Sequence, residues 1–120
     1  MSEMTYRDAL NLALKEEMRL DPSVVVLGED VALYEGSFKV TRGLLAEFGE
    51  ERVKDTPISE NTIIGVSIGA AMGGLRPVAE LMTVNFALLA MDQIVNHMAK
   101  IRSMFGGQTC VPMTIRMPGG

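Results

Sequence analysis

The sequence holds one cysteine, no tryptophan and only 5% aromatic residues among its 120 positions. Cys110 has no second cysteine for an intrachain disulfide, and its neighbours Thr109 and Val111 give no metal-ligand spacing, so a buried structural thiol is expected there. No apolar run approaches the roughly 20 residues that span a bilayer. Basic residues are dispersed along a chain of net charge -4, which leaves no electrostatic footprint for nucleic acid or anionic lipid. Neither a membrane nor a nucleic acid is an expected partner. The first 20 residues scatter Glu3, Arg7, Asp8, Lys15, Glu16 and Glu17 among apolar positions. That pattern is unlike both a secretory signal and an acid-poor transit peptide, so a cytoplasmic bacterial protein is the simplest expectation.

What is present is an ordinary globular balance, 48% hydrophobic and 22% charged. The mean hydropathy of +0.21 is high for so short a chain, which buries a smaller share of its surface than a larger one, so some apolar surface is expected to meet a partner. Thr5 can cap a helix in which Ala9, Leu10, Leu12, Ala13, Met18 and Leu20 share much of one face, ending at Asp21-Pro22. The run Val24-Val25-Val26-Leu27 before Gly28 reads as a strand buried on both sides of a parallel sheet. Turn chemistry surrounds Gly36, and a short helix from Thr41 to Phe48 closes at Gly49. A brief strand at Val53-Lys54-Asp55 precedes Pro57, and Ser59 is the expected N-cap of a helix reaching Met72. Another strand is expected within Arg76 to Met82, then one long helix from Phe86 to Met104 stopped by Gly106-Gly107. Val111 to Met117 reads as a last strand, with Pro112 near its start. Strands alternating with helices predict an α/β domain with a mostly parallel sheet flanked by helices. The ending Pro118-Gly119-Gly120 suggests an unfinished sheet.

Two features stand out beyond packing. Glu60 falls in the first turn of the expected helix, where the dipole favours a carboxylate by about 0.3 to 1 kcal/mol. Gly65, Gly69 and Gly73 follow at four-residue spacing. Each interior glycine costs a helix roughly 1 kcal/mol against alanine, so close approach of another helix in an assembly is expected to offset it. Neither a Gly-x-Gly-x-x-Gly turn after a strand nor a Gly-Lys-Ser/Thr loop is present, which argues against nucleotide phosphate binding by this chain alone.

The runs Val26 to Val31, Phe38 to Leu44, Asp55 to Glu60, Gly69 to Pro77 and Met82 to Phe86 together resemble the beta-subunit family of pyruvate, branched-chain 2-oxo acid and acetoin dehydrogenases. They occur in that family's order and cover nearly the whole chain. The resemblance implies a transketolase-like pyrimidine-binding domain, with residues 1–120 its N-terminal part and the family's C-terminal domain absent. It implies thiamine diphosphate held between two subunits, with Mg²⁺ ligated by the alpha subunit. The Gly-Asp-Gly motif and downstream Asn that hold the metal are missing, and Gly28-Glu29-Asp30 lacks the second glycine. No metal ligand is therefore expected here.

By the same resemblance Glu60 is the acid that hydrogen-bonds the pyrimidine ring nitrogen and favours the imino form, which promotes ylide formation; burial between subunits is expected to raise its pKa. Phe86 matches the ring that stacks on the aminopyrimidine, Met82 and Ile58 match contacts around it, and Glu29 matches an acid near the passage between the family's two active sites. The implied activity is oxidative decarboxylation of a 2-oxo acid, pyruvate by first preference, with acyl transfer to lipoyl. The implied partners are the alpha subunit, a second beta subunit in an α2β2 assembly, and the acyltransferase core through its lipoyl domain. The fragment alone is expected to be inactive. Asn61-Thr62 and Leu89 depart from the family pattern, and His97 matches no catalytic histidine, so a surface or interface role is expected for it. The alternatives are a transketolase-like or deoxyxylulose-phosphate synthase fragment, or a non-catalytic assembly module.

Overall fold

The computed structural model describes residues 3–119; the Gly120 of the expected closing loop lies outside them. Helix α1 (Tyr6–Leu20) leads into β1 (Val24–Gly28), α2 (Leu44–Phe48), β2 (Val53–Asp55), α3 (Glu60–Met72) and β3 (Arg76–Glu80). A 3-10 helix (Val84–Ala90), a π-helical stretch (Gln93–Met98), α4 (Ile101–Met104) and β4 (Thr114–Arg116) follow. All strand pairs are parallel, and the four strands stand in the order β2-β1-β3-β4. The α/β expectation is met.

Alternation of side chains across the sheet builds two cores. Val24, Val26, Val53 and Val78 face α1 and α2, where they meet Met18, Val31 and Leu44. Ala79 and Ile115 face the opposite way, against Ile63, Ile64 and Ile68 of α3 and Ala87 and Ala90 of the 3-10 helix. Helices thus cover both faces, as a parallel sheet requires. The Thr5 hydroxyl caps α1 by accepting from the Asp8 amide, a contact of about 1 kcal/mol. At the other end Arg52 donates to the carbonyls of Asp21 and Val24 and lies over the Phe48 ring, fixing the entry to β1.

Several expectations change. Leu12 and Leu20 of α1 point outward, 41% and 79% exposed, because the helix turns Leu14 and Met18 toward the sheet. Ser59 precedes α3 but its hydroxyl bonds to Thr62 Oγ1 rather than capping an amide. The single helix expected from Phe86 to Met104 is three pieces of different pitch. Its π-helical turn carries Gln93, whose side-chain oxygen lies 3.4 Å from where a Cβ on Gly65 would stand. The last strand keeps only Thr114–Arg116 of the expected seven-residue span, since Pro112 has no amide to give a ladder.

Cys110 is exposed, which corrects the expected buried thiol. It sits on the irregular approach to β4, where no element of either core lies over it. The methionines are also mixed: Met18 is fully buried, while Met104 is 73% exposed. No helix among the described residues is long and apolar enough to cross a membrane.

Candidate functional site

The chain goes from β1 to its neighbour β2 and then crosses to β3 on the other side of β1. In open parallel sheets, ligands bind at such a switch point, in the crevice beyond the carboxyl ends of the strands. Here those ends are Gly28 of β1 and Glu80 of β3, directly paired in register. Glu29, Ile58, Glu60, Met82 and Phe86 all follow strand ends on this edge. The structure brings the five sequence-predicted residues to one side of the sheet.

At the base of the edge, Glu29 and Glu60 are both buried, at 6% and 5% exposure. The Glu60 carboxyl lies close enough to act on that of Glu29. Burial, then the Glu60 charge facing it, then the nearby Asp30, hold the Glu29 carboxyl above its ordinary range. One oxygen of Glu29 finds no partner among the described residues. Glu60 opens α3, where the unpaired amides of the first turn favour a carboxylate.

Apolar residues follow the neighbouring strand ends on the same edge. Ile58 is 82% exposed on the Pro57 turn, Phe86 is 41% exposed at the start of the 3-10 helix, and Met82 is half-buried between β3 and that helix. The edge thus carries two buried carboxyls together with exposed and half-buried apolar side chains.

The loop over Glu29 is tightly built. Asp30, Glu35 and Lys39 take left-handed backbone conformations, with φ of 54, 63 and 59°. Asp55, at the end of β2, accepts from the Ala32 and Leu33 amides and ties that loop to the sheet. The Gly28 carbonyl accepts from the Thr56 amide. Gly28 itself is required for space: a Cβ there would stand 2.6 Å from the Glu80 carbonyl oxygen.

The remaining candidates lie elsewhere. His97 is on the surface, 3.8 Å from an Asp92 carboxylate oxygen. Gly69 has nothing within 4 Å of its Cβ position, so within the described residues only Gly65 of the glycine row meets another element, through the Gln93 side chain. The sequence reading missed the Glu29–Glu60 contact, the Asp55 anchor and a buried Glu80–Arg116 pair. For the last there was a signal, since Glu and Arg stand near the ends of two expected parallel strands.

Residues 2–120 match the transketolase pyrimidine-binding domain family. The chain is 55% identical over 120 residues to the pyruvate dehydrogenase E1 component subunit beta of Rhizobium meliloti, covering 100% of this chain and 26% of that protein. It is 52% identical over 118 residues to the mitochondrial subunit beta-1 of the same component in Arabidopsis thaliana, covering 98% of this chain and 32% of that one. The human mitochondrial subunit beta is 48% identical over 118 residues, with 98% and 33% covered. The chain spans between a quarter and a third of the length of these relatives.

Proposed function

This chain belongs to the transketolase pyrimidine-binding domain family, and from that premise we propose that it is the aminopyrimidine-holding part of the beta subunit of a thiamine-diphosphate-dependent pyruvate dehydrogenase. The observation that carries the reading is the buried carboxyl pair, Glu60 at the mouth of α3 with Glu29 against it. The named relatives favour this reading over a transketolase-like or deoxyxylulose-phosphate synthase fragment and over a bare assembly module.

The residues fit the group. An aminopyrimidine has a ring nitrogen that takes a proton and two flat faces, and the site has an orphaned buried carboxyl oxygen beside Glu60 and a half-open aromatic ring at Phe86. Glu60 holds a proton at the ring nitrogen opposite the amino group. Glu29, which retains its proton more readily than an exposed glutamate, keeps the pair supplied with one. Phe86 gives a face to the ring, and Ile58 and Met82 exclude water around it. Thiamine diphosphate, when bound, supplies the electron sink for loss of CO₂ from a 2-oxo acid.

This chain lacks the Gly-Asp-Gly motif, so Mg²⁺ and the diphosphate fall to an alpha subunit. A second beta subunit in an α2β2 assembly, the lipoyl domain of an acyltransferase core, and the bacterial cytoplasm complete the proposal. Its test is Glu60→Gln in the full-length beta subunit assembled with its alpha partner. Glutamine keeps the size and can still bond the ring nitrogen, but it cannot pass a proton. Activity should fall by about 10² to 10⁴-fold while cofactor affinity changes far less. Proton–deuterium exchange at the thiazolium carbon proceeding at the parent rate would reduce Glu60 to a helix-terminal carboxylate.

A further inference from the structure

Glu80 and Arg116 close the ends of β3 and β4, paired directly in register. Arg116 Nη1 stands 2.6 Å from Glu80 Oε2, with the two side chains 16% and 7% exposed. The two groups are close but not ideally aligned. Neither of these two atoms, nor Arg116 Nε, completes an aligned hydrogen bond among the described residues. Burial holds the Glu80 carboxyl above its ordinary range, against the opposing pull of the Arg116 guanidinium. A buried pair of that kind is poor evidence of stabilisation, and its known use is to specify one geometry.

The geometry it can specify is adjacent to the site. Past Glu80 the chain leaves the ladder, and the Leu81 amide donates to the Arg116 carbonyl at 2.9 Å. The Val84 amide then donates to the Pro118 carbonyl, also at 2.9 Å. The turn carrying Met82 and Phe86 is therefore hung on the continuation of β4. That strand is a short edge strand paired only with β3. On the other side of β3, Glu80 is the register partner of Gly28, the residue before Glu29, with no room between them for a Cβ on Gly28. Glu80 thus touches both routes into the site.

We propose that Glu80 and Arg116 are a positioning pair: by locking the end of β4 to β3, they set where Met82 and Phe86 stand relative to the Glu29–Glu60 pair. The inference rests on the reading of Phe86 and Met82 as cofactor contacts. It assigns the pair no contact with cofactor or substrate.

The test uses the full-length beta subunit assembled with its alpha partner. The double variant Glu80→Met/Arg116→Met removes both charges and keeps apolar volume, so thermal stability should stay near the parent value. Thiamine diphosphate affinity, measured by calorimetric titration with Mg²⁺, should weaken by roughly tenfold, because Phe86 and Met82 would no longer meet the ring squarely. The near-ultraviolet circular dichroism of the bound ring should change with it. Should that variant not assemble, Glu80→Asp decides, since it keeps the charges and shortens the reach by one methylene. It should assemble and bind the cofactor several-fold more weakly. Parent-like affinity and dichroism in the variant that assembles would overturn the inference. Phe86→Ala is the control: unchanged affinity there overturns the underlying reading as well, whereas a weakened Phe86→Ala beside a parent-like double variant overturns the pair's role alone.

Discussion

Gly28→Ala isolates a purely steric demand at the heart of the sheet. Gly28 has no left-handed φ, so alanine meets no backbone strain there. The new Cβ would stand 2.6 Å from the Glu80 carbonyl oxygen, 3.0 Å from Glu80 Cβ and 3.1 Å from Val31 Cγ1. The nearest of these is backbone, pinned by pairing on both flanks of β3, and cannot rotate aside. Overpacking of a built core costs about 1 to 3 kcal/mol, and a backbone obstacle argues for the upper part of that range. Restricting the unfolded chain returns about 0.4 to 1 kcal/mol. The net loss should be about 1 to 2 kcal/mol, or roughly 4 to 12 °C in Tm for a domain of this size. Urea unfolding reads it directly. Gly69→Ala is the control, since nothing lies within 4 Å of that Cβ, and it should gain up to about 1 kcal/mol in the chain by helix propensity. A Gly28→Ala variant as stable as the parent would refute the close-approach argument.

The other predictions concern charge, assembly and the cofactor. The Glu29 carboxyl is held above its ordinary range, so its contribution to stability is complete below its unfolded pKa and is lost as pH rises through the folded value. Glu29→Gln should therefore gain stability relative to the parent on going from about pH 4 to about pH 8, its melting temperature rising against the parent's; the reverse trend refutes the assignment. Gly69→Leu in the full-length protein should impair oligomerisation more than folding, and an unchanged sedimentation profile would remove the close-contact reading of the glycine row. The isolated chain should show no micromolar affinity for thiamine diphosphate with Mg²⁺, which calorimetric titration of the pure polypeptide checks.

Periodicity carried the fold well where packing and local pattern agree. β1 is a continuous valine run buried on both faces, and Thr5 and Asp21 bound α1 as their chemistry dictates. It carried poorly where tertiary contact overrides pattern. The stretch from Val84 to Met104 has helical spacing throughout, yet its pitch changes twice as it fits Gln93 against the bare face of Gly65. Cys110 shows a different limit, because residue-type frequencies say nothing about whether a segment has anything above it. For the site, Glu60 was legible from its helix-start position and from the Asp55 to Glu60 run. The contact between Glu60 and Glu29 was not, since the two are brought together only by the adjacency of β1 and β2 and the start of α3.

The high mean hydropathy also finds its physical place. Ile58 and Phe86 lie open on the carboxyl edge, with Leu33, Tyr34 and Phe38 on the loop that follows β1, and Leu88 and Leu89 on the 3-10 helix. Exposed apolar groups beside a candidate site are the kind of surface a partner covers. In the proposed assembly the subunit that covers this rim also excludes water from above the Glu29–Glu60 pair. Removing water disfavours charge further, and two adjacent carboxyls already resist ionising together. Coverage of the rim and retention of the proton are then linked: whatever strengthens one strengthens the other by the same free energy.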